Sequence, residues 1–171
     1  MIRKVLIVYI LIVSLILLRE IDTVLAQQPE MPPRPIEIHT IRNLNFGKVI
    51  SGYGTVEISN DGVRSTTGDV TTFGGIYHTA IFEIEANPGT VVRLGINYGS
   101  DFTLDNTSGP GDISGSLTDA NVEGQQVPHN QTFTMPPGKT AVEAEMGATL
   151  QIDGNISGNY SGNFMLEIVY E

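Results

Sequence analysis

The sequence predicts an all-β chain, an antiparallel β-sandwich behind an exported amino terminus, with a β-barrel as the competing architecture. Three observations carry this. Short runs rich in valine, isoleucine, threonine and aromatic residues recur along the chain, separated by glycine, asparagine and proline turn signals every eight to twelve residues or so. Where a run is long enough to show a period, the period is two. Ala80, Phe82, Ile84 and Ala86 alternate with Glu83 and Glu85, and Val56 and Ile58 alternate with Thr55, Glu57 and Ser59. In the last run Phe164, Leu166, Ile168 and Tyr170 share one face. Antiparallel sheets with one wet face produce such alternation. Finally, only Lys139 to Met146 has a composition that a helix would tolerate, and that stretch is short.

The amino terminus reads as an export signal. Arg3 and Lys4 precede the apolar run Val5 to Leu18, and Val24-Leu25-Ala26 supplies a cleavage site after Ala26. Fourteen residues make a helix of about 21 Å, short of a bilayer core of about 30 Å, so an uncleaved anchor is the lesser alternative. Cleavage would remove Arg3, Lys4, Arg19, Glu20 and Asp22. Gln27 to Glu171 would then carry 6 basic against 17 acidic residues, a charge of -11. That excess disfavours nucleic acid and anionic membrane surfaces as partners and leaves the membrane relevant only through export. The chain has no cysteine, so it needs no disulfide and offers neither a thiol nucleophile nor a lipid-anchor site.

Residues 27 to 35 carry prolines at 29, 32, 33 and 35, which lack backbone donors and favour an extended lead-in. The β domain is expected from 36 to 171. Strands are predicted near 36–44, 48–50, 54–59, 69–73, 77–86, 90–97, 101–104, 112–117, 131–134, 140–145, 148–152 and 160–170. Asn87-Pro88-Gly89 and Pro136-Pro137-Gly138 suit type II turns. Residues 108–112 and 124–130 read as the longest loops.

Few residues could carry chemistry. His39, His78 and His129 are scattered, none beside a nucleophile elbow or at metal-ligand spacing, and surface or hydrogen-bonded roles suit them. Glu83 with Glu85 and Glu143 with Glu145 read as a solvated acidic face. Asp101, Asp105, Asn106 and Asp112 bracket a glycine-rich loop and are weak calcium candidates, since their spacing matches no twelve-residue calcium loop. Asn106, Asn130, Asn155 and Asn159 satisfy Asn-x-Ser/Thr, a pattern common by chance in so polar a chain. No enzyme activity and no cofactor are expected.

Leu44-Asn45-Phe46-Gly47, Gly54 to Ile58, Arg64-Ser65, Gly68-Asp69-Val70, Ala80 to Ile84, Pro88-Gly89, Gly147 to Leu150 and Gly158 to Phe164 together resemble the secreted bacterial family called domain of unknown function 4402. The resemblance runs from about Leu44 to Tyr170. It implies an immunoglobulin-like sandwich with no established enzymatic activity. The Leu-x-Phe-Gly opening and the closing Gly-x-Tyr segment are also distantly similar to chaperone-usher pilin subunits of the archaic class. Such subunits typically carry a glycine fourteenth from the end, alternating apolar residues and a penultimate tyrosine, the positions of Gly158 and Tyr170 here. Pilin subunits lack a final strand, and a neighbour's extension fills the groove. That likeness implies an assembly strand formed by Gly158, Tyr160, Phe164, Leu166, Ile168 and Tyr170. Many pilins hold a disulfide, which this chain cannot form. Ile36, Ile38 and Ile41 could be an exported donor strand or the domain's own first strand, but hardly both.

The expected function is a non-enzymatic structural or adhesion protein of a bacterial cell surface, secreted, periplasmic or surface-bound. Its partners would be itself or other surface subunits, joined by strand addition. The alternative is a monomeric extracellular binding module for glycan or calcium.

Overall fold

The structure, a computed structural model, describes residues 34–96, 100–154 and 156–171. The export signal and most of the proline-rich lead-in lie outside these residues, as does Asn155. Pro35–Glu171 forms one compact unit. Its described residues contain sixteen strands: β1 Glu37–Arg42, β2 Val49–Ile50, β3 Gly52–Ile58, β4 Arg64–Thr66, β5 Thr71–Thr72, β6 Ala80–Glu85, β7 Val91–Ile96, β8 Asp101–Asn106, β9 Asp112–Leu117, β10 Ala120–Val122, β11 Gln125–Val127, β12 Thr132–Thr134, β13 Ala141–Met146, β14 Ala148–Gly154, β15 Tyr160–Ser161 and β16 Leu166–Tyr170. Every pairing among the described residues is antiparallel.

The strands form a five-stranded sheet in the order β1-β6-β13-β10-β11, a three-stranded sheet β12-β7-β16, a six-stranded sheet β15-β8-β9-β14-β3-β4 and a small ribbon β2-β5. The predicted alternation is what the sheets bury. Ala80, Phe82, Ile84 and Ala86 are buried, as are Val56 and Ile58, while Glu83 and Glu85 lie on the outer face. One core draws on all three larger sheets, through Phe82 and Val142, Val92 and Leu94, and Leu150 and Ile152. Covering several apolar faces with a shared core removes the need for a disulfide staple.

Gly147 is the single residue between β13 and β14, where the chain leaves one sheet for another. Its amide donates to the Thr118 hydroxyl at 3.0 Å, and a Cβ there would collide with the Ile58 carbonyl. Only glycine fits so close a backbone approach.

Several expectations need correction. Residues 160–170 are not one strand: Tyr160 and Ser161 pair with β8, whereas Leu166 to Tyr170 pair with β7 in a different sheet. The polar pair Gly162-Asn163 lies in the connection, and a Cβ on Gly162 would meet the Thr103 carbonyl of β8. Residues 124–130 are not all loop, since β10 and β11 form a hairpin around Glu123 and Gly124, both at positive φ. β4 was not predicted at all. The strand expected at 140–145 is present as Ala141–Met146, paired along its length with β6.

Candidate functional site

The first strand decides how the last one is exposed. β1 pairs with β6, with Glu37 opposite Glu85, Ile38 opposite Ile84 and His39 opposite Glu83. Ile36, Ile38 and Ile41 therefore belong to the domain's own first strand or its approach. The ladder slips between Thr40 and Arg42, leaving Ile41 on a bulge and 56% exposed, whereas Ile36 and Ile38 pack partly against the core.

An immunoglobulin-type sandwich places strands A, B, E and D in one sheet and C, F and G in the other. Here β1, β6, β13 and β10 stand side by side in the order A-B-E-D, and the chain order of those strands agrees. β7 follows β6 across the turn at 86–90, as C follows B, and pairs with β16 in the position of F. The remaining strands are insertions between these. Among the described residues, no strand occupies the position of G.

β16 is consequently an edge strand. One side bonds β7, from Leu166 opposite Ile96 to Tyr170 opposite Val92. The other side faces β1, whose Cα atoms come within 8 Å of those of β16, yet no ladder joins the two among the described residues. Along this seam lie apolar side chains that the core covers only in part: Ile36 and Ile38 on one side, Phe164, Leu166 and Ile168 on the other. Phe164 reaches between the layers. Its ring meets Phe82 edge-on at 6.1 Å and 77°, and Phe102 at 6.1 Å and 46°.

The predicted assembly residues thus divide. Phe164, Leu166, Ile168 and Tyr170 line or end the seam, whereas Gly158 and Tyr160 belong to a polar knot at the tip of β8. There the Asn106 amide donates to the carbonyls of Pro110 at 3.2 Å and Ser157 at 3.0 Å and to the Tyr160 hydroxyl at 3.2 Å. Its oxygen accepts the Ser108 amide at 2.9 Å. Gly158, at φ 134°, leaves room for Asn106, which a Cβ would strike. This asparagine is an anchor for two loops, a role that its sequence pattern gave no sign of.

The other candidates do not converge. Asp105 and Asp112 stand opposite each other across β8 and β9, but Asp101 begins β8, four residues or about 13 Å away. His39 contacts Glu37 at 3.2 Å, His78 lies 3.4 Å from the Thr79 carbonyl, and His129 lies 3.0 Å from the Leu117 carbonyl. Three different elements hold them. Among the described residues, no three histidine or carboxylate side chains are grouped to hold a metal ion.

The acidic pairs form a continuous outer face. Glu83 stands opposite Glu143 on β13, and Glu85 opposite Glu37 on β1. Asn121, Glu123, Glu143 and Glu145 line a hollow of about 240 Å³ beside it. The Lys139 ammonium bonds Glu123 at 2.5 Å and holds its carboxyl below the usual glutamate range. A second shallow depression, of about 430 Å³, is lined by Phe102 as well as by polar residues such as Thr103, Ser114, Ser116 and Gln151.

Fold and seam together define a class: an immunoglobulin-like β-sandwich in which β16 is, among the described residues, one edge of the three-stranded sheet. The chain belongs to the family described as domain of unknown function (DUF4402), whose model matches residues 36–170. No curated protein matches it.

Proposed function

We propose that the protein is a non-enzymatic, exported structural or adhesion subunit of a bacterial cell surface, pilin-like in that it assembles by strand addition. The observation that supports this reading is that β16, among the described residues, forms a ladder on one side only, with β7. An edge strand with half-covered apolar side chains is a template for another strand, which here would displace β1 from its approach to β16. A partner strand laid there would gain ladder hydrogen bonds from β16 and bury Leu166 and Ile168 beneath its alternate side chains. Completing the sandwich in this way requires the incoming strand to run antiparallel to β16. Secretion rests on the sequence of the amino terminus, and the absence of cysteine is consistent with a fold that relies on burial.

Hydrogen exchange tests the proposal. Alternate amides of β16 point away from β7, and their exchange in the isolated protein sets the reference. Assemblies recovered from the cell surface should protect those amides. Assemblies in which β16 exchanges as it does in the monomer would refute strand addition at this edge.

A further inference from the structure

The outer face of the six-stranded sheet is a surface that strand addition does not use. β8, β9, β14 and β3 stand side by side in it, and their register gathers residues of one kind. Thr103 of β8 stands opposite Ser114 of β9, Ser114 opposite Gln151 of β14, and Gln151 opposite Thr55 of β3. Two residues along each strand, Asp101, Ser116, Thr149 and Glu57 make a second row in the same way. The alternate residues, Ile113, Leu150 and Val56 among them, are buried in the core, so both rows point outward.

The shallow depression of about 430 Å³ lies over these rows. Ser114 and Ser116 are short side chains on its middle strand, with the longer Gln151 and Asp101 to either side. Phe102, which also lines it, packs its ring against Gly115 and Phe164. The polar groups are only lightly used within the protein. Ser116 donates to the Ser100 hydroxyl at 3.3 Å and the Gln151 amide to the Asp153 carboxylate at 3.3 Å. Among the described residues, the hydroxyls of Thr103, Ser114 and Thr149 bond no other side chain or backbone group.

Tyr53 stands beside the depression, on β3 opposite Asp153. Its ring leans over to β14 and rests against Gly154, where a Cβ would come within 3.1 Å of the ring carbon that bears the hydroxyl. Glycine makes room for the ring, which stays held against the sheet while the residue remains 70% exposed.

The chemistry of this face selects its occupant. No basic side chain lines the depression, and Asp101, Glu57 and Asp153 lie in or beside it, so phosphate, sulfate and carboxylate polymers are repelled. A protein partner would bury an apolar centre, and these two rows offer none. A metal ion would need grouped carboxylates, and among the described residues no such group exists. The complement of the surface is a ligand that is uncharged, rich in hydroxyls along its edges and apolar on its ring faces. Serine, threonine and glutamine side chains both give and accept hydrogen bonds. An exposed aromatic ring, negative on its face, attracts the C–H groups of a sugar ring.

We infer that the depression over β9, continued by Tyr53, is a binding site for a neutral polysaccharide. From Thr103 on β8 to Tyr53 on β3 the path crosses three strand spacings, about 14 Å, so it takes a stretch of chain rather than a single sugar. The inference goes beyond the reading above and does not depend on it, since β16 belongs to a different sheet.

Amide NMR on isotope-labelled protein purified after export tests it, by titration with cellohexaose, mannohexaose and chitohexaose and with heparin as the anionic control. At least one of the three neutral chains should shift amides of β8, β9 and β14 and leave those of β16 in place, and heparin should shift none. Tyr53→Ala and Ser114→Tyr are at exposed positions and should leave thermal melting unchanged. The first should weaken binding by at least about tenfold, and the second, which fills the floor of the depression, should abolish it. Leu166→Asp, aimed at strand addition, should bind sugar as the wild type does, so that either reading can fail alone. No shift with any of the three chains, shifts confined to another face, a preference for heparin, or binding indifferent to Tyr53→Ala would each overturn the inference.

Discussion

Replacing Phe164 by alanine measures how firmly the approach to the last strand is held. The side chain lies between the layers, touching Phe82 of β6 and Phe102 of β8 at ring separations of 6.1 Å each. Truncating a fully buried phenylalanine costs about 3–5 kcal/mol. Phe164 is covered only in part, so we halve that figure to about 2 kcal/mol. Each aromatic pair accounts for about 0.5–1.5 kcal/mol of such a cost. For a domain of this size 1 kcal/mol moves the melting temperature by about 4 °C, giving a fall of about 8 °C. Urea unfolding followed by far-ultraviolet dichroism supplies the free energy, and a double-mutant cycle with Phe82→Leu should return a coupling of about 0.5–1 kcal/mol. A cost below about 0.5 kcal/mol, or a coupling near zero, would refute the placement of Phe164 between the layers.

Four further outcomes are expected. Leu166→Asp should leave the monomer folded, since Leu166 is half-covered on the seam, and should abolish assembly as read by light scattering. Gly147→Ala should destabilise the domain by about 3 kcal/mol in urea, because its new methyl group meets the Ile58 carbonyl rather than a side chain that could move aside. Glu143→Thr should stabilise by about 0.2–1 kcal/mol at low salt and by less at high salt, since it removes a carboxylate directly opposite Glu83. The carboxyl of Glu123, held low by Lys139, favours the folded state above the usual glutamate range and loses that contribution as pH falls through its lowered value. Glu123→Gln should therefore flatten the acid limb of a stability-against-pH curve, and an unchanged limb would remove the ion pair from the account.

Much of the fold was legible because burial writes itself as alternation. Ala80, Phe82 and Ile84 face the core as their spacing requires, and Leu166 and Ile168 keep one side of β16. The missed strands share a different property. Arg64–Thr66, Ala120–Val122 and Gln125–Val127 are each three residues long, too short for a period to be told from chance, and the first and last are mostly polar, so a neighbour's bonds rather than the local pattern make them strands. The broken last strand failed for a related reason. Tyr160 and Leu166 both have the composition of strands, and nothing local says that they bond different sheets.

The sequence by itself determined the all-β class, the acidic character, the freedom from disulfides and the apolar face of the closing segment, since each depends on composition or on spacing along a strand. Only the tertiary structure decided that Ile38 belongs to the domain's own first strand and that β16 is, among the described residues, an edge strand. It also decided that Asn106 ties two loops. These are facts about pairing between residues far apart in the chain, and the alternation that makes a strand carries no information about which edge will remain open.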